Sequence, residues 1–148
     1  MRTTLLIVLL AMGVGTGAAH ADDKMPARTP LAAGDCINIT QINEWYVVDA
    51  KTAIVRTGPK RYLVKLQNSC PRLGTPPPGL MFRANPSNLA VNNGRICGEA
   101  GETVHSLNQP PCAIESVSLI GKTRFDKLAA HALHHGTAAE RPTTAPTH

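Results

Sequence analysis

The chain has 148 residues, of which 15 are Lys or Arg and 10 are Asp or Glu, so its formal net charge at pH 7 is +5. The basic residues stand singly or in pairs, and only 3% of the chain is aromatic. A nucleic-acid surface would need a clustered basic stripe with aromatic stacking partners, so this composition argues against nucleic-acid binding.

The N-terminus has the three parts of a secretory signal peptide in their usual order. Arg2 supplies the positive charge, an apolar run follows from Leu5, and Ala19-His20-Ala21 forms a small-x-small cleavage signal. The strongly apolar run is too short to span a bilayer. We therefore expect residues 1–21 to be a signal peptide that is cleaved between Ala21 and Asp22. The mature chain would be periplasmic or secreted, with no transmembrane segment after cleavage.

Four cysteines follow the leader, namely Cys36, Cys70, Cys97 and Cys112. An even number of cysteines in a small exported chain predicts two disulfides. Structural zinc would need C-x2-4-C pairs, whereas the gaps here are 34, 27 and 15 residues. A thiol nucleophile would need an unpaired cysteine beside a base. The cysteines therefore predict covalent cross-links and not a metal site or a catalytic thiol.

The predicted elements begin with a flexible leader over residues 22–34, which holds two prolines, small residues and charges. The domain over residues 35–122 contains short β-type segments separated by turn residues, with turns expected at 49–52 and 57–60. In the segment 61–66, Tyr62, Val64 and Leu66 share one face, and the other face carries Arg61, Leu63 and Lys65. This alternation is typical of a half-buried strand.

Residues 68–79 carry four prolines and two glycines, so they predict an irregular crossing loop. The strongest hairpin signal is Asn92-Asn93-Gly94, which would return residues 95–97 to pair with the preceding strand. Further strands are expected over 80–83, 102–107 and 112–120. The first and last strands of the domain are expected to be neighbours, since the residues after Cys36 and Cys112 are faintly alike.

Residues 123–135 predict a weak helix, and residues 136–148, rich in Thr, Ala and Pro, predict a disordered tail. Such a helix would bring His131, His134 and His135 near one another, and converging imidazoles can bind a transition metal. No carboxylate or cysteine accompanies them closely. These histidines are therefore candidates for adventitious metal binding only, and we expect no dedicated metal site and no cofactor.

His105 is the one histidine between the first and last cysteines, and Glu102 and Ser106 lie close to it in sequence. On a strand, however, Glu102 and Ser106 would share one face while His105 points to the other. The three residues therefore do not predict an acid–base or hydrolytic triad. No catalytic residue is assigned.

Several motifs occur in one order along the domain. They are Cys36 with Ile42 and Trp45, Val48-Asp49 with Thr52, Gly58-Pro59 with Arg61-Tyr62-Leu63, Cys70-Pro71-x-Leu73, Arg95-Ile96-Cys97 and Cys112-x-Ile114. Over roughly residues 35 to 120 the chain thereby resembles a family of small exported bacterial proteins, mainly from Gram-negative species, classed as a domain of unknown function. The resemblance implies a signal peptide and a compact β-rich domain, and it carries over no catalytic residue.

We expect a mainly β fold, namely a small antiparallel β-barrel or sandwich that is cross-linked by two disulfides and followed by a short C-terminal helix and a disordered tail. Four cysteines allow three pairings. We favour Cys70–Cys97, which would join the proline loop to the hairpin strand, and Cys36–Cys112, which would join the first and last strands.

The leading functional hypothesis is a non-catalytic binding or structural module whose partner is an unknown protein or envelope component. Arg56, Lys60 and Arg61 are the candidates for partner contact, because they can form a basic hairpin tip that meets an anionic partner. A solvated turn is the simpler interpretation of these cations. The first alternative is an inhibitor of an exogenous hydrolase, which would present the 70–79 loop or the 56–61 turn. The second is an enzyme, which would need a pocket where two ionisable side chains converge.

Overall fold

The structure is a computed structural model that describes residues 28–77 and 79–137. Within them, seven antiparallel strands form one sheet in the order β4-β5-β6-β3-β2-β1-β7, which curls into a half-barrel. The strands are β1 (Glu44–Asp49), β2 (Thr52–Thr57), β3 (Lys60–Leu66), β4 (Met81–Arg83), β5 (Thr103–His105), β6 (Cys112–Leu119) and β7 (His134–Thr137). The helices are α1 (Leu89–Asn92) and α2 (Lys122–Ala129), with 3-10 turns at Ala33–Asp35, Ile39–Gln41 and Pro86–Asn88. The prediction of a mainly β fold with two disulfides and a short C-terminal helix is confirmed.

The three central strands form a meander whose two turns lie where the sequence predicts them. The Asp49 carboxylate accepts a hydrogen bond from the Lys51 backbone N–H at 2.7 Å, which closes the β1–β2 turn. Gly58 occupies the left-handed region at φ +55° in the β2–β3 turn. As a result, the tip of the β2–β3 hairpin is held in a defined conformation at one end of the sheet.

One face of the sheet carries the main hydrophobic core. Alternate residues of β3, namely Tyr62, Val64 and Leu66, are buried there, as the alternating pattern predicts. The same core takes Trp45 from β1 and Val55 from β2. Residues of the connecting segments close over this face, and they are Ile37, Ile42, Cys70, Leu73, Leu80 and Ile96. Side chains of the strands and of the connecting segments therefore fill this face of the sheet.

The opposite face is covered at its centre by helix α2. Phe125 is buried against Ile54 of β2 and Leu63 of β3, and its ring meets the Tyr46 ring edge-on with centroids 5.8 Å apart. Leu128 packs at the margin of this cluster. None of the described helices has the length and apolar character that crossing a membrane would require.

The predicted helix over residues 123–135 is half correct. It ends at Ala129, and the following residues form β7, which pairs with β1. Before the strand begins, the Leu133 N–H donates to the Val47 carbonyl at 2.8 Å. The backbone groups on this side of β1 gain hydrogen bonds from β7, and this outweighs the poor strand propensity of the His-His-Gly-Thr sequence. Two residues of the predicted tail, 136 and 137, thus belong to the sheet, and the rest of that tail lies outside the described residues.

The predicted hairpin at 92–94 is also wrong. Asn93 and Gly94 do adopt left-handed conformations, at φ +49° and +71°, but they terminate helix α1 instead of joining two strands. Ile96 then forms an antiparallel bridge with Ile37. The strand β4 pairs instead with β5.

The disulfides are Cys36–Cys97 and Cys70–Cys112, so the predicted pairs Cys70–Cys97 and Cys36–Cys112 are incorrect. The bridge between Ile37 and Ile96 places the first two cysteines side by side, with Cα atoms 4.5 Å apart. β3 and β6 are neighbours in the sheet, so the chain leaving β3 reaches the start of β6, where the Cα atoms of the second pair are 6.3 Å apart. Backbone pairing between distant segments therefore determines both disulfides.

The predicted flexible leader over residues 22–34 differs from the structure where it is described. The Leu31 N–H donates to the Cys97 carbonyl at 2.8 Å, and the Leu31 side chain packs against the main core. Residues 28–34 thus run across the folded domain and end beside the β2–β3 hairpin. The predicted signal peptide and its cleavage site lie outside the described residues.

Candidate binding groove

A polar groove lies between the segment that precedes β1 and the tip of the β2–β3 hairpin. It consists of two adjoining cavities of about 190 and 340 Å³, which share Gln41, Thr57 and Pro59. Small-molecule sites usually have about 300–1,000 Å³, so the larger cavity reaches this range. The groove is therefore the concave feature in which we place the candidate site.

Two cations line the smaller cavity. The Lys60 ammonium donates hydrogen bonds to the Gly34 carbonyl at 2.6 Å and to the Asp35 carboxylate at 2.9 Å. The Arg95 guanidinium donates to the Ala33 carbonyl at 3.0 Å. Both cations are thus positioned by backbone carbonyls of the N-terminal segment, which explains why that segment is fastened to the domain.

The charge on Lys60 is secure at neutral pH. Its hydrogen bond to Asp35 holds the pKa of Lys60 above the ordinary value, although partial burial and the neighbouring Arg95 act in the opposite direction. Tyr62, which also lines this cavity, donates its phenolic hydroxyl to the Cys36 carbonyl at 3.4 Å. Lys60 and Arg95 can both donate hydrogen bonds to a ligand.

Neutral amides and hydroxyls line the rest of the groove. Asn38 caps the 3-10 turn at Ile39–Gln41, since its side-chain oxygen accepts from the Thr40 N–H at 3.1 Å and from the Thr40 hydroxyl at 2.8 Å. This turn presents the exposed Gln41 amide to both cavities. The Asn43 side-chain oxygen accepts from the Gly58 N–H, which leaves its amide N–H groups for other partners. Such groups can orient a polar ligand by hydrogen bonds.

A buried carboxylate, that of Glu102, holds the backbone that follows Arg95. Glu102 is only 1% exposed, and its two oxygens accept hydrogen bonds from the N–H groups of Cys97 at 2.8 Å and Gly98 at 2.7 Å. Burial raises the pKa of Glu102, and the backbone hydrogen bonds oppose that shift. Together with the Cys36–Cys97 disulfide, this carboxylate holds the backbone two residues beyond Arg95. No sequence motif signals this role.

The three cations predicted to form a basic hairpin tip lie on two faces of the sheet. Lys60 points into the groove. Arg56 pairs with the Glu44 carboxylate on the opposite face. Arg61 lies on that face too, 6.0 Å from the centre of the Phe125 ring, and donates to the Pro59 carbonyl. Lys60 therefore faces the groove without Arg56 and Arg61, and the cation beside it is Arg95, which the sequence pattern does not indicate.

The residues around His105 do not form a triad. Both oxygens of Glu102 accept hydrogen bonds from backbone N–H groups, those of Cys97 and Gly98. The Ser106 hydroxyl accepts from the Gly74 N–H at 2.7 Å and donates to the Gly79 carbonyl at 2.9 Å. His105 points away from both, as the strand alternation predicts. Burial and the nearby Arg83 lower the pKa of His105, so this side chain is neutral at pH 7.

The three candidate metal-binding histidines do not converge. His131 lies in the turn after α2, whereas His134 and His135 are consecutive in β7 and point to opposite faces of the sheet. The exposed His135 ring lies 5.9 Å from the Tyr46 ring on the face covered by α2. The predicted proximity depended on a helix that the chain does not form here. Across residues 28–77 and 79–137, no three His, Cys, Asp or Glu side chains are grouped to hold a metal ion.

The chain was compared with family models, curated proteins and solved structures. No curated protein and no solved structure matches it. A family model covers residues 1–136, which include both disulfides and all of the described sheet except Thr137. The resemblance inferred from the cysteine, proline and tryptophan motifs is thus confirmed as a likeness to a family without assigned function. The chain belongs to the family of unknown function DUF6491.

Proposed function

We propose that this protein is an exported, non-catalytic binding module and that the polar groove beside the β2–β3 hairpin holds its ligand. The observation that supports this most is the make-up of the groove, in which two anchored cations are combined with exposed amides. Donors and acceptors of this kind fix the orientation of a polar ligand.

Export is the second part of the proposal. The described residues contain two disulfides, and such cross-links persist on the oxidising side of a membrane and are rare in the cytosol. Cys36–Cys97 also fastens one wall of the groove, because Cys36 lines the smaller cavity. An oxidising compartment would therefore keep the groove intact, which fits the signal peptide predicted over residues 1–21.

A steric block tests the groove directly. Gln41 is exposed and lines both cavities, so Gln41→Trp should fill the groove without disturbing the core. The matched control is Lys51→Trp, because Lys51 is exposed in the turn at the other end of β2. The immobilised mature chain and both variants are incubated with cell-envelope extract, and retained material is identified by mass spectrometry. Material kept by the wild type and the control but lost by Gln41→Trp supports the groove, whereas equal retention by all three contradicts it.

A hydrolase inhibitor is the second candidate, and the rigidity of the proline loop favours it. The loop is fixed at Cys70 by the disulfide to Cys112, and Gly74 is hydrogen-bonded to the buried Ser106 hydroxyl. Arg72 is exposed between these anchors. Rigid presentation lowers the entropic cost of binding, which inhibitors exploit. If a panel of secreted hydrolases contains a target, Arg72→Ala should weaken the inhibition while Gln41→Trp leaves it unchanged.

A further inference from the structure

The cationic end of the groove carries more positive than negative charge. Lys60 and Arg95 both line the smaller cavity, and Asp35 is the carboxylate that pairs with Lys60. Arg95 donates to a neutral backbone carbonyl, so its charge is not balanced by a carboxylate among the described residues. Two cations thus share one carboxylate. A ligand with a negatively charged group would complete the balance.

The donors that remain free have the geometry a carboxylate requires. A guanidinium has five N–H donors, and Arg95 uses one of its nitrogens for the Ala33 carbonyl. The Lys60 ammonium has three donors, of which two are directed at Gly34 and Asp35. A planar carboxylate can accept two hydrogen bonds from a guanidinium side by side. The smaller cavity therefore offers one planar and one point-like cationic donor.

The surroundings of these cations favour a saccharide over a peptide. β2 lies between β3 and β1, and β3 lies between β6 and β2, so neither strand of the hairpin has a free edge to which a peptide could add. The other groups in the groove are the side chains of Asn38, Gln41, Asn43 and Thr57. Amides and hydroxyls both donate and accept hydrogen bonds, as sugar hydroxyls do.

We propose that the groove binds an acidic saccharide whose carboxylate is held by Arg95 and Lys60, and that Asp35 competes with this carboxylate for Lys60. The proposal rests on the proposed function and names the chemistry of its ligand. The ion pair is open to such competition because the side chains of Lys60 and Asp35 are 39% and 47% exposed. Exposed pairs of this kind contribute little to stability, so a ligand can displace Asp35 at small cost.

Two matched probes separate the charge of the ligand from its sugar rings. The first is trigalacturonic acid, and the second is its fully methyl-esterified form, which has the same rings without the negative charges. Binding of both to the mature chain is measured by titration calorimetry at low and at physiological salt. We expect the acid to bind and the ester to bind at least tenfold more weakly, the factor that corresponds to about one charge-assisted hydrogen bond.

Four variants test which side chains of the protein hold the carboxylate of the ligand. Arg95→Gln and Lys60→Met should each weaken binding of the acid by about tenfold, because each removes a charged donor. Asp35→Asn should strengthen it by about two- to fivefold, the range of an exposed ion pair. Lys51→Met, which removes a lysine at the other end of β2, should leave the affinity unchanged. Thermal unfolding of every variant is recorded, so that a loss of affinity in a folded variant is not mistaken for unfolding.

The outcomes separate this inference from the proposed function. Equal binding of the acid and the ester, lost in both cases with Gln41→Trp, would refute the role of the carboxylate and leave the groove as a binding site. Binding of the acid that Gln41→Trp and Arg95→Gln do not weaken would overturn both. No binding of the acid up to its solubility limit would overturn the saccharide inference, while capture from envelope extract would still test the groove.

Discussion

Replacement of Glu102 by alanine removes the acceptor of two buried backbone N–H groups, those of Cys97 and Gly98. A buried donor left without a partner costs about 1–3 kcal/mol, so the two together cost about 2–6 kcal/mol. Domains of this size have a total free energy of unfolding of about 5–15 kcal/mol. We therefore expect Glu102→Ala to lower the unfolding free energy by a large fraction of its total value.

Denaturant unfolding under oxidising conditions measures this loss, because the midpoint shifts while the disulfides stay closed. Glu102→Gln keeps one carbonyl acceptor, and it should cost about half as much, roughly 1–3 kcal/mol. The control is Glu115→Ala, since Glu115 is partly exposed in β6 and has no hydrogen-bond or ion-pair partner among the described residues. This change should stay within about 0.5 kcal/mol. The reasoning is refuted if Glu102→Ala costs no more than the control.

The remaining predictions concern glycine, cross-linking and pH. Gly98→Ala should lower the free energy of unfolding more than Gly58→Ala does. Both glycines have positive φ, but only a Cβ at position 98 would meet a backbone nitrogen, that of Val117 at 2.9 Å. Equal losses in the two variants would contradict this. Non-reducing peptide mapping should recover Cys70 linked to Cys112, and a different linkage would disprove the described strand order. Replacement of both cysteines by serine should lower the free energy of unfolding by about 4 kcal/mol, because the disulfide closes a loop of 42 residues. The pKa of Glu102 is raised above its ordinary value of 4.5, so the folded state holds a proton longer than the unfolded state as pH increases. The stability advantage of the wild type over Glu102→Gln should therefore be full below pH 4.5 and decline as pH rises above it, and a difference that is constant with pH would argue against this.

The strands that form the centre of the sheet could be predicted because their pattern is local. Tyr62, Val64 and Leu66 alternate with polar or less buried residues, and the turns on either side of β2 contain Asp49 and Gly58. In these stretches side-chain burial, turn chemistry and strand propensity agree. The fold class follows from such stretches alone.

The parts that could not be predicted depend on contacts between distant residues. The sequence of β7 lacks apolar alternation and has Thr137 as its one strand former, and it becomes a strand only because β1 offers it backbone partners. The Asn93-Gly94 signal correctly predicts left-handed backbone, but the same conformation ends a helix as readily as it makes a hairpin. The cysteine pairing follows backbone pairing between distant segments, which no local pattern encodes.

The groove depends in part on a local sequence pattern and in part on contacts between distant residues. Lys60 could be singled out because it lies in a predicted turn, whereas Arg95 is 35 residues away and reaches the groove only through the bridge of Ile37 with Ile96. In the sequence, Glu102 is notable only as a neighbour of His105, and nothing there indicates that it fixes the segment next to Arg95. A buried carboxylate that accepts from two N–H groups has no signature in sequence, and it becomes evident only when the partners are seen.

The measurement that tests the binding groove most directly is site-specific photo-crosslinking of the protein in the presence of cell-envelope extract. A photoreactive residue is placed at Gln41 in the groove, at Lys51 in the turn at the far end of β2, or at Pro76 in the exposed part of the proline loop. The account predicts a discrete adduct at position 41, lost when excess trigalacturonic acid is present, and no such adduct at 51 or 76. An adduct at 76 alone, or equal labelling at 41 and 51, would contradict the groove as the binding site.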